Sequence, residues 1–133
     1  MTSGGKIYPG ELKYYAEHTW LRPEDSHRGR VGITYYAQDL LKELVYIELP
    51  QIGAEVSPIE PFGVIESRKA TFDLYSPVSG IVTDINHSVE TEPGIVNRDP
   101  YGKGWIIVVE LNDPTELSSL MSAEEYCKLI LNK

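Results

Sequence analysis

Short stretches in which apolar and polar residues alternate recur along the chain, and this period of two predicts β-strands separated by turns. The predicted turns include the polar segment 24–28, the segment 51–53, and Pro93-Gly94, with one helical turn after it. The predicted strands are one or two within 12–21, then 30–33, 44–49, 62–67, 71–75, 80–85 and 104–111. The last of these is rich in isoleucine and valine, which favour strands.

Helical patterns are fewer, and two of them lie near the C-terminus. Thr34 is a predicted N-cap for a helix over 35–41. The segment 113–116 places a proline directly after an aspartate cap, and 122–125 has the form of a capping box. In the first helix we expect one side to carry Ala37, Leu40 and Leu41. In the last helix we expect one face to carry Tyr126, Leu129 and Ile130. Strands first and helices last predict an all-β core with small helical additions.

A single lysine separates two of the predicted strands. Lys69 lies between the runs 62–67 and 71–75, so we expect a β-hairpin with this lysine at its tip. A lysine in that place is exposed, mobile and reachable by a modifying enzyme, which suits a side chain that is acylated and used as an arm. The alternative interpretation is an ordinary unmodified surface lysine in a turn.

Composition limits the possible functions. The 133 residues suffice for one modest core, so residues 1–133 are predicted to form a single domain. No apolar run approaches the ~20 residues of a membrane span, and the N-terminus has no apolar signal core. The single cysteine, Cys127, excludes an internal disulfide framework and fits a reducing, cytoplasmic setting. A net charge of −8 argues against nucleic acid as a partner.

The sequence shows no catalytic or metal-binding pattern. His18, His27 and His87 are isolated and lack the spacing of metal ligands. The glycine-rich segment 101–105 lacks the phosphate-loop pattern and precedes a strand instead of opening a helix. Cys127 has no motif partner that would make it a nucleophile. We therefore predict no catalytic residue, no metal site and no enzymatic activity.

The segment around the lysine resembles the lipoylation site of glycine cleavage system H proteins. Its first part is Glu66-Ser67-Arg68-Lys69-Ala70, and Ser76-Pro77-Val78-Ser79-Gly80 follows. Gly53 and Gly80 also stand where lipoyl domains have glycines, at turns that need a positive φ or a close backbone approach. Further blocks occur in the family's order, namely His18-x-Trp20, Gly32-Ile33-Thr34, Ala37-Gln38, 45–50, 62–67 and 96–105.

The resemblance implies a mainly β fold, a lipoyl/biotinyl-type flattened barrel-sandwich hybrid of two antiparallel sheets with short helices and C-terminal helices. It implies lipoate attached covalently to Lys69, with Glu66, Ser67, Ala70 and Asp73 as further cofactor-binding residues. The arm would shuttle an aminomethyl group from glycine decarboxylase to aminomethyltransferase, and dihydrolipoamide dehydrogenase would reoxidise it. A lipoylating enzyme is the fourth expected partner, and the carrier itself is expected to be a monomer.

Departures from the family pattern leave alternatives open, and one of them is Tyr35-Tyr36 after Gly-Ile-Thr, where the family favours an acidic residue. Thr19 stands where the family has a glutamate, and Arg68 stands where it has a small apolar residue. The chain could instead be an H-like protein of another lipoyl-dependent pathway, such as sulfur oxidation through a heterodisulfide-reductase-like complex. It could also carry biotin or act unmodified as a docking module, although Arg68 and Ala70 replace the methionines that flank a biotinyl lysine.

Overall fold

The computed structural model describes residues 2–3 and 6–131, and short strands dominate it. The strands are β1 (Thr2–Ser3), β2 (Lys6–Ile7), β3 (Lys13–Tyr15), β4 (Thr19–Pro23), β5 (Arg28–Ile33), β6 (Leu44–Glu48), β7 (Glu55–Val56), β8 (Pro61–Ser67), β9 (Thr71–Tyr75), β10 (Gly80–Ile85) and β11 (Ile107–Leu111). The helices are α1 (Tyr35–Leu41), α2 (His87–Thr91), α3 (Gly94–Arg98), a 3₁₀ helix (Pro114–Ser119) and α4 (Ala123–Leu131).

Two antiparallel sheets make up the architecture. The larger sheet has six strands in the order β3-β4-β5-β11-β10-β7, and the smaller sheet has three in the order β6-β8-β9. Strands β1 and β2 form a separate antiparallel pair. Within the described residues the two main sheets do not share a strand and do not close into a barrel. The predicted mainly β fold with two antiparallel sheets and short helices is confirmed.

The main hydrophobic core contains residues from both sheets. Strands β4, β5 and β11, which lie within the larger sheet, each bury three consecutive residues, whereas β9 buries Leu74 between less buried neighbours. The fully buried members include Leu21, Val31, Ile33, Ile65, Leu74, Ile107 and Val109. A second cluster, rich in aromatic residues, packs α4 against β3 and contains Tyr8, Leu12, Tyr14, Trp20, Tyr126 and Cys127. No helix in the described residues is long and apolar enough to cross a membrane.

Helix α1 has the predicted bounds and the predicted cap. The Thr34 hydroxyl accepts a hydrogen bond from the Ala37 amide at 3.3 Å. The buried residues are Ala37, Gln38 and Leu41, so the prediction that placed Leu40 on the packed side is wrong. Each helical residue advances about 100° around the axis. Leu40 therefore lies roughly 100° from the middle of the side formed by Ala37, Leu41 and Gln38. Its side chain is 52% exposed.

The C-terminal caps form as the sequence predicts. Ser122 and Glu125 exchange hydrogen bonds, from the Ser122 amide to Glu125 Oε1 at 2.9 Å and from the Glu125 amide to Ser122 Oγ at 3.1 Å. The Asp113 carboxylate caps the 3₁₀ helix by accepting a hydrogen bond from the Thr115 amide at 3.0 Å. These local contacts set where the two C-terminal helical segments begin.

Candidate functional site

Lys69 lies at the tip of the β8–β9 hairpin, as predicted, and its side chain is exposed. The last paired residues below the tip are Glu66 and Thr71. Ser67 organises the turn, because its hydroxyl oxygen accepts hydrogen bonds from the amides of Lys69 at 3.3 Å and Ala70 at 3.1 Å. The Ser67 amide also donates to the Ala70 carbonyl at 2.9 Å. The serine of the motif therefore holds the backbone that carries the lysine.

The hairpin below the tip is fixed by packing on its inner side. Ile65 and Leu74 are fully buried, one on each strand of the hairpin. Strand β6 adds a second partner for β8, with Leu44 opposite Ser67 at the end nearest the tip. Well-packed side chains and ladders on both flanks restrict the backbone. Lys69 thus combines a rigid backbone with a solvent-exposed side chain.

The second half of the lysine motif, residues 76–80, makes its contacts away from Lys69. Ser76 Oγ donates to the Val78 carbonyl at 2.6 Å, and Ser79 donates to the Glu116 carboxylate from both its amide and its hydroxyl. A Cβ on Gly80 would lie 2.1 Å from the Glu110 carbonyl oxygen, so only glycine fits at that crossing. Gly53 has a φ of 94°, the positive value expected from the sequence.

The carboxylates predicted to accompany the lysine lie on its hairpin. Glu66 pairs with Thr71, and Asp73 stands two residues further along β9, so both carboxylates face the same side of the sheet. Asp73 is exposed and Glu66 is half-buried. Among the predicted residues, Ser67 and Ala70 form the turn itself.

Thr19 connects the two sheets. It is completely buried, and its hydroxyl donates a hydrogen bond of 2.9 Å to the Tyr75 carbonyl on β9. This bond links β4 of the larger sheet to the lysine-bearing sheet. Thr19 therefore has a structural role in this chain.

Sequence reasoning missed a buried polar network beside the hairpin. His18 adopts a φ of 70°, and its Nδ1 lies 2.7 Å from the Tyr126 hydroxyl. The same hydroxyl lies 2.8 Å from the Thr34 hydroxyl. The His18 ring stands 4.9 Å from the Tyr36 ring and 6.3 Å from the Phe72 ring, between ring centroids. These residues are far apart in sequence, and only the His-x-Trp block of the resemblance pointed to His18.

The phenol of Tyr126 at the centre of this network is fully buried. Desolvation raises the pKa of Tyr126 well above its ordinary value, and the hydrogen bond with Thr34 offsets part of that rise. The network joins helix α4, the N-terminus of α1 and the aromatic side of the hairpin. It therefore ties three elements together beside the lysine hairpin.

Arg68, a predicted departure from the family pattern, lies on the surface. Its Nε is 3.5 Å from Glu43 Oε2, and the two side chains are 78% and 71% exposed. An ion pair this exposed contributes little to stability. No group of three or more His, Cys, Asp or Glu side chains in the described part of the chain could hold a metal ion.

The structure is a two-sheet β protein that presents an exposed lysine on a serine-braced hairpin, an arrangement typical of carrier domains. A family model described as "Glycine cleavage H-protein" matches residues 12–133. The chain is 48% identical to the glycine cleavage system H protein of Symbiobacterium thermophilum, over 89% of this chain and 91% of that protein. The corresponding protein of Carboxydothermus hydrogenoformans is 49% identical, over 93% of this chain and 95% of that protein.

A solved structure agrees with these sequence matches. A crystal structure of a glycine cleavage system H protein from Mycobacterium marinum superposes with a TM-score of 0.83 at 35% identity, covering 91% of this chain and 97% of that one. The chain belongs to the glycine cleavage H-protein family. This confirms the family and the role of a lipoyl carrier in glycine cleavage that the sequence predicted.

Proposed function

We propose that Lys69 is the lipoyl attachment site, and that the chain acts as the non-catalytic carrier of the glycine cleavage system. The observation that carries this proposal is the exposed lysine on the hairpin tip braced by Ser67. The residues present fit the group, because an amide to Lys69 needs a free primary amine on a fixed backbone. Among the described residues, no carboxylate forms an ion pair with Lys69.

A lipoyl group held at Lys69 would supply a dithiolane for disulfide–dithiol chemistry and for carrying the aminomethyl group. Lys69 tethers this group, and acylation removes the positive charge of its amine. Ser67 and Ala70 position the tether through the hydrogen bonds of the turn. Asp73 and Glu66 lie on the outer face of the hairpin, where their carboxylates would be charge-assisted acceptors for a cationic group carried by the arm.

The proposed partners are glycine decarboxylase, aminomethyltransferase, dihydrolipoamide dehydrogenase and a lipoylating enzyme. A monomeric single domain over residues 1–133, working in the cytoplasm, fits transient docking with each of them. Tethering raises the effective concentration of the cargo at each docked enzyme. The chemistry then belongs to the cofactor and the partners, whereas this chain supplies attachment and orientation.

The test begins with intact-mass analysis of the protein expressed together with a lipoylating enzyme. Wild type should gain one lipoyl group, and Lys69→Arg, which keeps the charge but cannot be acylated at this position, should gain none. A modified Lys69→Arg protein, or a biotinyl mass on wild type, would contradict the assignment of the site.

The second part of the test is glycine-dependent exchange of carbon dioxide with glycine decarboxylase. Fully lipoylated wild type should support the exchange, and Lys69→Arg should not. Normal lipoylation without exchange would exclude glycine cleavage as the function and point to another lipoyl-dependent pathway.

A further inference from the structure

Two exposed apolar side chains lie on the strand that pairs with the lysine hairpin. Seven large apolar side chains are exposed in the described part of the chain, and Leu40, Val45 and Tyr46 fall within seven consecutive positions. Tyr46 on β6 lies opposite Glu66 on β8. Glu66 precedes Lys69 by three positions along the chain. Val45 and Tyr46 thus expose apolar surface on the strand that pairs with the lysine hairpin.

A β-bulge on strand β6 creates much of this exposure. Leu44 pairs with Ser67 and Tyr46 pairs with Glu66, so Val45 is the extra residue between them. Regular alternation would bury one of two neighbouring side chains, whereas Val45 is 45% exposed and Tyr46 is 48% exposed. Strand β6 is also an edge of the smaller sheet. Bulges at sheet edges often re-aim side chains next to functional sites.

The outer face of the smaller sheet is acidic around this apolar surface. The register places Tyr46, Glu66 and Thr71 in one row across the three strands and Glu48, Val64 and Asp73 in the next row. This face carries the carboxylates of Glu48, Glu66 and Asp73. None of the three forms an ion pair within the part of the chain that the structure describes. A face with an apolar edge and unneutralised carboxylates complements a partner whose apolar contact is bordered by lysine or arginine.

We propose that this face, centred on Tyr46 and Glu48, docks the enzyme that acylates Lys69; the inference rests on the proposed function. The lysine stem has only four carbons, so an enzyme that reacts with its amine must contact the hairpin and its neighbours. Enzymes that act on the distal end of a long arm do not need this contact. The geometry thus favours the acylating enzyme over the other partners.

The acylation step requires the neutral amine of Lys69. Its nitrogen attacks the carbonyl carbon of an activated lipoyl donor, an acyl adenylate, and a C–N amide bond forms. The C–O bond to the adenylate breaks, and AMP leaves with that electron pair. The proton lost from the amine passes to a base of the enzyme or to water. Docking at Tyr46 and Glu48 would present the amine and would not alter these bonds.

The test measures initial rates of acylation of the unmodified full chain by a lipoate–protein ligase supplied with lipoate and ATP, with intact mass as the readout. Tyr46→Thr and Glu48→Lys should each lower kcat/KM about tenfold through a higher KM for the chain, with kcat unchanged. The matched controls are Ile59→Thr and Glu60→Lys, at exposed positions near the far end of the hairpin. Both should stay within about twofold of wild type.

Three results would overturn the inference. The first is that Tyr46→Thr and Glu48→Lys keep the KM of wild type while their melting temperatures are also unchanged. Another is an equal loss in the two controls, because the effect would then not be local. A third is a wild-type dimer that Tyr46→Thr dissociates, since a second copy of the chain would then occupy the face. Failure of wild type to be acylated at Lys69 would instead overturn the proposed function on which the inference rests.

Discussion

Removal of the Ser67 hydroxyl tests whether the turn fixes the attachment lysine. Its oxygen accepts hydrogen bonds from two backbone amides, those of Lys69 and Ala70, and the serine is only 9% exposed. Each such bond contributes about 0.5–1.5 kcal/mol net. Lys69 and Ala70 are exposed, so water can satisfy their amides once the serine is truncated. We therefore expect Ser67→Ala to lower the free energy of unfolding by about 1 kcal/mol, at the low end of the range for two bonds.

Two measurements separate a local effect from a global one. Urea denaturation gives the change in the free energy of unfolding, and hydrogen exchange should show faster exchange at the Lys69 and Ala70 amides than elsewhere. Ser26→Ala, at an exposed serine in another turn, is the matched control, and Ser67→Thr should recover most of the loss because it keeps the hydroxyl. Unchanged exchange at both tip amides in Ser67→Ala would refute the reasoning.

Two further predictions concern the fold that supports the hairpin. Gly80→Ala should cost at least about 2 kcal/mol in urea denaturation, because its Cβ would meet a backbone oxygen at 2.1 Å; Gly10→Ala, with open space around it, is the control. Burial raises the pKa of Tyr8 to about 12 from an ordinary value of 10.0. The stability that Tyr8 contributes is therefore fully present below about pH 10 and is lost as the pH rises through about 12. Urea denaturation together with tyrosinate absorbance across this window would reveal it, and a phenolate forming at its ordinary pKa in the folded state would contradict it.

The sequence predicted best those elements whose stabilising contacts join residues close together along the chain. The hairpin around Lys69, the Thr34 cap and the capping box of 122–125 all rest on contacts between residues a few positions apart. Helix α2 escaped prediction, although Asn86 caps it by accepting a hydrogen bond from the Ser88 amide at 3.2 Å. Five residues carry too little helical periodicity to be distinguished from a turn.

The predicted C-terminal strand shows how tertiary contacts set an element's bounds. The sequence predicts a strand over 104–111, but β11 begins at Ile107. Gly104 and Trp105 instead close a turn, with the Gly104 amide donating to the Asp99 carbonyl at 2.8 Å. Asn86 also accounts for this boundary, because its side chain binds the carbonyls of Lys103 and Trp105.

The sequence by itself pointed to Lys69 as the proposed attachment site, to the hairpin that carries it and to the family, because these depend on contiguous motifs. Only the tertiary structure decided that Thr19 joins the sheets, that His18 binds Tyr126, and that the Val45 bulge exposes an apolar edge. Such pairings join residues distant along the chain, and a single sequence carries no signal for which distant strands and helices meet. The physical reason is that burial and register are properties of the packed sheets and not of any one segment.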